Sequence, residues 1–201
     1  MGTGLKVLAT KKRVEEEHCC DDELSTDKYL QIGTKKGRSL LAIAESPAAN
    51  GWRKSGRAFY TPEDKLVPTG KNFLANLKQI DENMELGDIS FTEIAKCFIA
   101  NNRKQLDECA AKTWPHFISQ IKLVNPKIII ILGQKTTDIF NKLAGTNLTV
   151  GKISEIELAG TKHFVLPIYH PSPANPKRAL NAGIIEANLE SIKKLLKTLP
   201  E

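Results

Sequence analysis

Five consecutive apolar residues, Ile128 to Leu132, place the strongest constraint on what this chain can fold into. The run is entered through Asn125-Pro126 and stopped by Gly133. It falls far short of the roughly 18 residues needed to cross a bilayer, and it has no polar face. It is therefore predicted to be a strand buried on both sides. Such a strand needs a covering layer above and below it, which helices supply.

The rest of the chain offers those layers. Ser39 to Glu45 is a second apolar run, cut off at Ser46-Pro47, and Ile89 to Ala95 is a third strand candidate. Thr69-Gly70-Lys71 opens an amphipathic helix carrying Phe73, Leu74 and Leu77. A second helix is predicted from about Gln105 to Leu123, with Cys109, Trp114, Phe117, Ile118 and Ile121 at mostly helical spacing, and a third from Thr136 to Leu143. Lys152 to Leu158 and His163 to Ile168 flank Ala159-Gly160-Thr161 and read either as a hairpin or as successive strands. The tail from Pro176 to Leu199 reads as one long helix, and Lys11 to Cys20 as a further helical stretch. The expected fold class is α/β, a three-layer sandwich with a mainly parallel central sheet covered by helices on both faces. With 201 residues, no internal repeat and no low-complexity linker, one domain over residues 1–201 is expected, led by a polar segment at 1–37.

Composition narrows function less than it narrows fold. An apolar fraction of 41% with 26% charged residues is ordinary for a soluble globular protein. The 29 Lys and Arg against 23 Asp and Glu give a net charge of +6, which is compatible with a polyanionic partner without requiring one. Met1 to Lys6 shows no apolar core followed by a cleavage site, so a cytoplasmic, reducing location is expected. In that compartment Cys19, Cys20, Cys97 and Cys109 are expected to be thiols or metal ligands rather than disulfides.

Ligands of such sheets sit beyond the carboxyl ends of the strands, so the segments after the strands should carry the chemistry. Three stand out. The first runs from Ala44-Glu45-Ser46-Pro47 to Ser55-Gly56-Arg57-Ala58-Phe59. The second is Thr92-Glu93-Ile94-Ala95-Lys96-Cys97, continuing to Asn101-Asn102-Arg103 and Glu108-Cys109. The third is His170-Pro171-Ser172-Pro173-Ala174-Asn175-Pro176.

Together these resemble the uracil-DNA glycosylase superfamily over roughly residues 39 to 197. The third segment is similar to its His-Pro-Ser-Pro motif, with Asn175-Pro176 like the single-strand-selective branch. The second segment and the Ser-Gly-Arg-Ala-Phe stretch resemble the iron–sulfur branch. The resemblance implies a monomeric, monofunctional DNA-repair enzyme with DNA and no membrane as its partner. It would hydrolyse the N-glycosidic bond of uracil or a related deaminated or damaged base and leave an abasic site.

It also implies roles for named residues. Glu45 would orient water or stabilise the positive sugar of the transition state, and His170 would donate to O2 of the departing base. Their structural alternatives are a solvated or helix-capping glutamate and a histidine that fixes the proline-rich loop. Phe59 would stack on the flipped base or else belong to the core. Ala48, with Ala49, is small enough for backbone N–H groups to approach the base. Arg53, Lys54 and Arg57 would contact phosphates or form a solvated basic loop. Ser172 would bind a phosphate, and Pro173, Ala174 and Asn175 would form the stiff tip that presses on the DNA.

Glu93 stands where the family usually has Asn. An amide donates to O4 of uracil while accepting from N3–H, whereas a carboxylate only accepts unless it is protonated. Glu93 is therefore held neutral by burial, or it turns away, or the base preference is altered or broadened. The resemblance further implies a four-iron four-sulfur cluster on Cys19, Cys20, Cys97 and Cys109. His18 is an alternative fourth ligand, because adjacent Cys19 and Cys20 point apart; zinc and no metal at all are the other readings. Two further functions compete: a non-catalytic DNA-damage-binding protein on the same fold, and a nucleotide or nucleoside hydrolase. The absence of a P-loop or Gly-x-Gly-x-x-Gly motif argues against the commonest phosphate-binding folds for the latter.

Overall fold

A computed structural model describes residues 28–34, 39–48, 51–99 and 105–197. Among these, six strands form one sheet: β1 (Leu30–Gln31), β2 (Leu40–Ala44), β3 (Ser90–Glu93), β4 (Ile128–Leu132), β5 (Ser154–Leu158) and β6 (Thr161–Ile168). Their order is β1-β3-β2-β4-β6-β5. The helices are α1 (Trp52–Ser55), α2 (Pro68–Ile80), α3 (Gln105–Val124), α4 (Gln134–Ala144) and α5 (Asn181–Lys197). None is long and apolar enough to cross a membrane.

The apolar run that constrained the sequence is β4, and all five of its residues are buried. It pairs in parallel with β2 on one side and β6 on the other. Side chains alternate between the faces of a strand. Ile129 and Ile131 join Leu41, Ile43 and Val165 on one face, packed against Phe117 and Ile121 of α3 and Ile139 and Phe140 of α4. Ile128, Ile130 and Leu132 join Leu40, Ala42, Leu166 and Ile168 on the other, packed against Phe73 and Leu77 of α2 and Ile185 and Ile192 of α5. The centre of the sheet is parallel, and the edge strands β1 and β5 run antiparallel. The three-layer α/β expectation is met.

Three details depart from, or decide between, the sequence expectations. β5 and β6 form a hairpin rather than separate strands; Ala159 and Gly160 both have positive φ (57° and 83°), as a two-residue turn between twisted strands requires. β1 lies inside the segment read as a polar leader and pairs Leu30 with Thr92. The tail is not one helix: a 3₁₀ turn at Pro176–Leu180 precedes α5. Asn175 Oδ1 accepts from the Lys177 N–H at 3.1 Å and so starts that turn. Asn181 then points its fully buried side chain at the end of β6. Its Oδ1 accepts from the Tyr169 N–H at 2.9 Å and its Nδ2 donates to the Tyr169 carbonyl at 2.8 Å. The predicted helix at Lys11 to Cys20 lies outside the described residues.

The connections part at the middle of the sheet. From β2 the chain moves to β3 on one side, then returns past β2 to β4 and β6 on the other. That reversal opens a crevice at the carboxyl ends of the central strands. The Asn181 clamp fixes one wall of it. Asn181→Leu leaves a part-buried backbone donor and acceptor without their partner, and urea denaturation is expected to show a loss of about 1–3 kcal/mol; an unchanged midpoint would show that the clamp contributes nothing.

Candidate active site

A cleft of about 550 Å³ occupies the crevice, and each central strand delivers a residue to it. Glu45 follows β2, Glu93 ends β3, Gly133 follows β4, and His170 lies just beyond β6; Phe59 and Ala48 also line it. The ends of β2 and β3 stay laced past the sheet. The Ile94 N–H donates to the Ala44 carbonyl at 2.8 Å and the Ala95 N–H to the Glu45 carbonyl at 3.0 Å. With Ala44 in register opposite Glu93, the two carboxyl groups are carried at neighbouring strand ends.

Phe59 is held in a conformation that an aromatic residue rarely adopts, with φ 67°. The Val67 N–H donates to its carbonyl at 2.9 Å. Its ring meets Phe91 at 4.5 Å and Phe73 at 5.4 Å between centroids. Half-buried, it belongs to the core and to the cleft wall at once, so the two sequence readings are not exclusive. Strain of this kind, about 1–3 kcal/mol, persists where the surroundings over-determine it.

The loop bearing His170 is fastened from several sides. Asn175 Nδ2 donates to the His170 carbonyl at 3.0 Å, Asn72 Nδ2 to the Pro171 carbonyl at 2.8 Å, and Arg178 Nη1 to the Pro173 carbonyl at 2.9 Å. The Ser172 N–H donates to His170 Nδ1 at 3.2 Å. A neutral ring that accepts at Nδ1 carries its proton on Nε2. Gly133 makes room for this ring. It has φ 108°, and a Cβ there would stand 3.3 Å from the His170 Cβ. The sequence marked Gly133 only as a strand stop; its second duty depends on a residue far along the chain.

Residues 32–199 match the sequence model of the Uracil DNA glycosylase superfamily. The chain belongs to that superfamily. It is 26% identical to the type-4 uracil-DNA glycosylase of Archaeoglobus fulgidus over 159 residues, which are 76% of this chain and 75% of that protein. The type-4 uracil-DNA glycosylase of Sulfurisphaera tokodaii is 29% identical over 169 residues, covering 78% and 69% of the two chains. That of Thermotoga maritima is 26% identical over 144 residues, covering 68% and 74%.

Within this member of the superfamily the predicted site residues fall into groups. Glu45, Ala48, Phe59, Glu93, His170, Ser172 and Asn175 share the cleft. Pro173 and Ala174 are exposed at the loop tip, whereas both ends of the Asn175 side chain are engaged inside the loop. Arg53 and Lys54 lie on α1 beside the cleft, with the Arg53 guanidinium 5.0 Å from the Phe98 ring centroid. Arg57 pairs with Asp64 and sits 3.9 Å over Tyr60. Ala49 and Asn101 to Arg103 lie outside the described residues.

The sequence reading missed what lies behind Glu93. Lys96 is fully buried and donates to Thr92 Oγ1 and Gln120 Oε1, both at 2.6 Å, and to the main-chain carbonyl of Glu93. Gln120 Nε2 in turn donates to the Lys28 carbonyl at 2.9 Å. This node ties the end of β3 to α3 and to the segment before β1. Glu93 lines the cleft rather than turning from it, and its Oε2 is buried without a hydrogen-bond partner among the described residues. Burial pushes its carboxyl up to about 8, against the pull of Lys96 and with the help of Glu45. Burial also draws the Lys96 ammonium down to about 7, with Glu93 opposing.

The cysteine expectation is corrected for one pair. Cys97 and Cys109 form a buried disulfide, with Cα atoms 6.8 Å apart. The loop after β3 packs back on the first turns of α3, which brings the two sulfurs together. Cys19, Cys20 and the alternative ligand His18 lie outside the described residues. Among the described residues no group of three or more His, Cys, Asp or Glu could hold a metal. A cluster needs each sulfur as a separate thiolate, so Cys97 and Cys109 could serve one only with the bond between them reduced.

Two measurements check these features. Glu93 has a folded value near 8, above the ordinary 4.5, so its contribution to stability is complete below about pH 4.5 and is lost as pH rises toward 8. The Lys96 penalty is absent above 10.5 and fully developed below about 7. Between pH 5 and 7 the Glu93 slope is the larger of the two, and the Lys96 slope fades as pH falls below 7. The melting temperature of Glu93→Gln is therefore expected to gain on wild type from pH 5 to pH 7, and a constant difference would mean that Glu93 titrates normally. For the sulfurs, the iron content of protein purified anaerobically reports the state of the pair: none is expected while Cys97 and Cys109 stay bonded to each other, and stoichiometric iron with broad absorbance would show that they are ligands.

Proposed function

We propose that this chain hydrolyses the N-glycosidic bond of uracil, or of a related deaminated base, in DNA and leaves an abasic site without cutting the strand. The observation that carries the proposal is the meeting of Glu45, Phe59 and His170 in one cleft, each supplied by a different segment. The names of its relatives, type-4 uracil-DNA glycosylases, support DNA as the polymer and uracil as the base.

The chemistry follows from the groups present. Breaking the bond from C1′ to the base leaves positive charge on the sugar and negative charge on the base. The Glu45 carboxylate stabilises the first and orients the water that adds to C1′. That water supplies the hydroxyl to the sugar and, in net, the proton to the released base. His170 Nε2–H donates to O2 of the base as the negative charge develops. Phe59 stacks against the flipped ring, at about 1–3 kcal/mol, and Ala48 leaves room for the backbone beside it.

Contacts outside the cleft bring the DNA in. Arg53, Lys54 and Arg57 take phosphates, with Ser172 as a further contact. The exposed Arg57–Asp64 pair is worth little in water, so a phosphate can replace its carboxylate. Pro173 and Ala174 press on the opened helix. The working unit we infer is a monomer of one domain.

Single-turnover base release from uracil-containing oligonucleotides, single- and double-stranded, tests the proposal. Wild type is expected to release uracil and to give strand breaks only after alkali. Glu45→Ala and His170→Ala are each expected to be slower by about tenfold or more. Tight binding of such DNA with no base release would show a binding protein instead.

A further inference from the structure

We propose that the Glu93 carboxyl lets this cleft accept bases of either hydrogen-bond polarity, so that cytosine as well as uracil is a substrate class of the same site. The inference rests on the glycosylase reading above. Uracil presents an acceptor at O4 beside a donor at N3–H, and cytosine presents a donor at N4 beside an acceptor at N3. A protein group that takes one base and refuses the other must have one arm fixed as donor and the other as acceptor. An amide achieves this only when its neighbours stop it from flipping. A protonated carboxyl is freer still, because the proton can sit on either oxygen without any rotation.

The structure supplies no lock for Glu93 among the described residues. The residue lines the cleft, and its Oε2 is buried and has no hydrogen-bond partner among the described residues. Lys96 is the cation best placed to fix it, yet its ammonium bonds Thr92, Gln120 and the Glu93 main chain instead. The other charged or titratable groups of the cleft are Glu45 after β2, His170 after β6 and Lys135 at the start of α4. Lys135 pairs with Asp107 at 2.6 Å. Glu45, when ionised, offers Glu93 no donor. A buried oxygen left without a partner is costly, and a base edge removes that cost by supplying the missing bond.

Protonation is what makes the group two-faced. Burial favours the proton-bearing carboxyl up to about pH 8. Once ionised it repels O4 of uracil and N3 of cytosine alike, so both bases lose their reader together.

The test uses duplexes that carry a single uncleavable 2′-fluorinated nucleotide, with uracil, cytosine or thymine as its base, opposite an abasic site. Wild type is expected to bind the uracil and cytosine duplexes within about tenfold of each other and to lose both together above pH 8. Glu93→Leu weakens both by about tenfold or more, whereas Glu93→Gln keeps both and flattens the pH response. Single-turnover assays on ordinary nucleotides are expected to show cytosine release by wild type, slower than uracil because the cytosine anion is the poorer leaving group. Cytosine bound about 100-fold or more weaker than uracil, or bound but never released, overturns the proposal and leaves the glycosylase reading standing. A wild type that neither prefers the uracil duplex over thymine nor releases uracil sinks that reading itself.

Discussion

Every residue of β2 and β4 is buried and apolar, so these two strands can carry polar side chains only where they stop. Parallel pairing of β2, β3, β4 and β6 then brings four such stops to one edge. Glu45 is the first residue after β2 and Gly133 the first after β4. His170 follows β6 by two residues. The chemistry of the cleft is thus a consequence of the apolar layer beneath it. A strand with one wet face would have scattered the same residues over a surface.

Glu93 departs from this rule, because it is the last residue of β3 and yet is almost fully buried. Its environment divides the residue in two. The main-chain carbonyl holds the Lys96 ammonium, while the carboxyl takes no hydrogen bond from that cation and its Oε2 is buried without a partner among the described residues. A direct buried ion pair would have lowered the cost of both charges and left nothing to read a base. The arrangement instead saturates the ammonium with three acceptors and leaves an acid with an unmet hydrogen bond. Within the proposed function, a base edge would supply that missing bond.

Much of this was legible in the chain before folding, and the illegible parts share a cause. β2, β4 and the helices announce themselves through apolar runs and helical spacing, and Glu45, Phe59 and His170 through their places in post-strand segments. β1 has two residues and hence no period to detect. The break before α5 depends on Asn181 finding the backbone of Tyr169, twelve residues away. Gly133 matters because of His170, and Lys96 because of Gln120. The Cys97–Cys109 bond belongs with these. An argument from compartment favoured thiols or metal ligands, but proximity in the folded chain joined the pair.

The His170 loop shows how side-chain commitments redistribute the work of recognition. Asn175, Asn72 and Arg178 all turn toward the loop's own main chain, which fixes the ring against Gly133 and stiffens the tip. Within the proposed function, those side chains hold geometry, and the pressing contact on DNA falls to Pro173 and Ala174. A proline and an alanine offer little surface with which to fill the gap left by a flipped base. The wedge therefore adds little to holding the opened state, and the base pocket must supply more of it. That places the weight on Phe59, which gives a face to any ring, and on Glu93, which gives an edge of either polarity. A weak wedge and a permissive reader fit together: an extruded base is retained here through the contacts it makes inside the cleft, so discrimination rests on what the carboxyl group will accept.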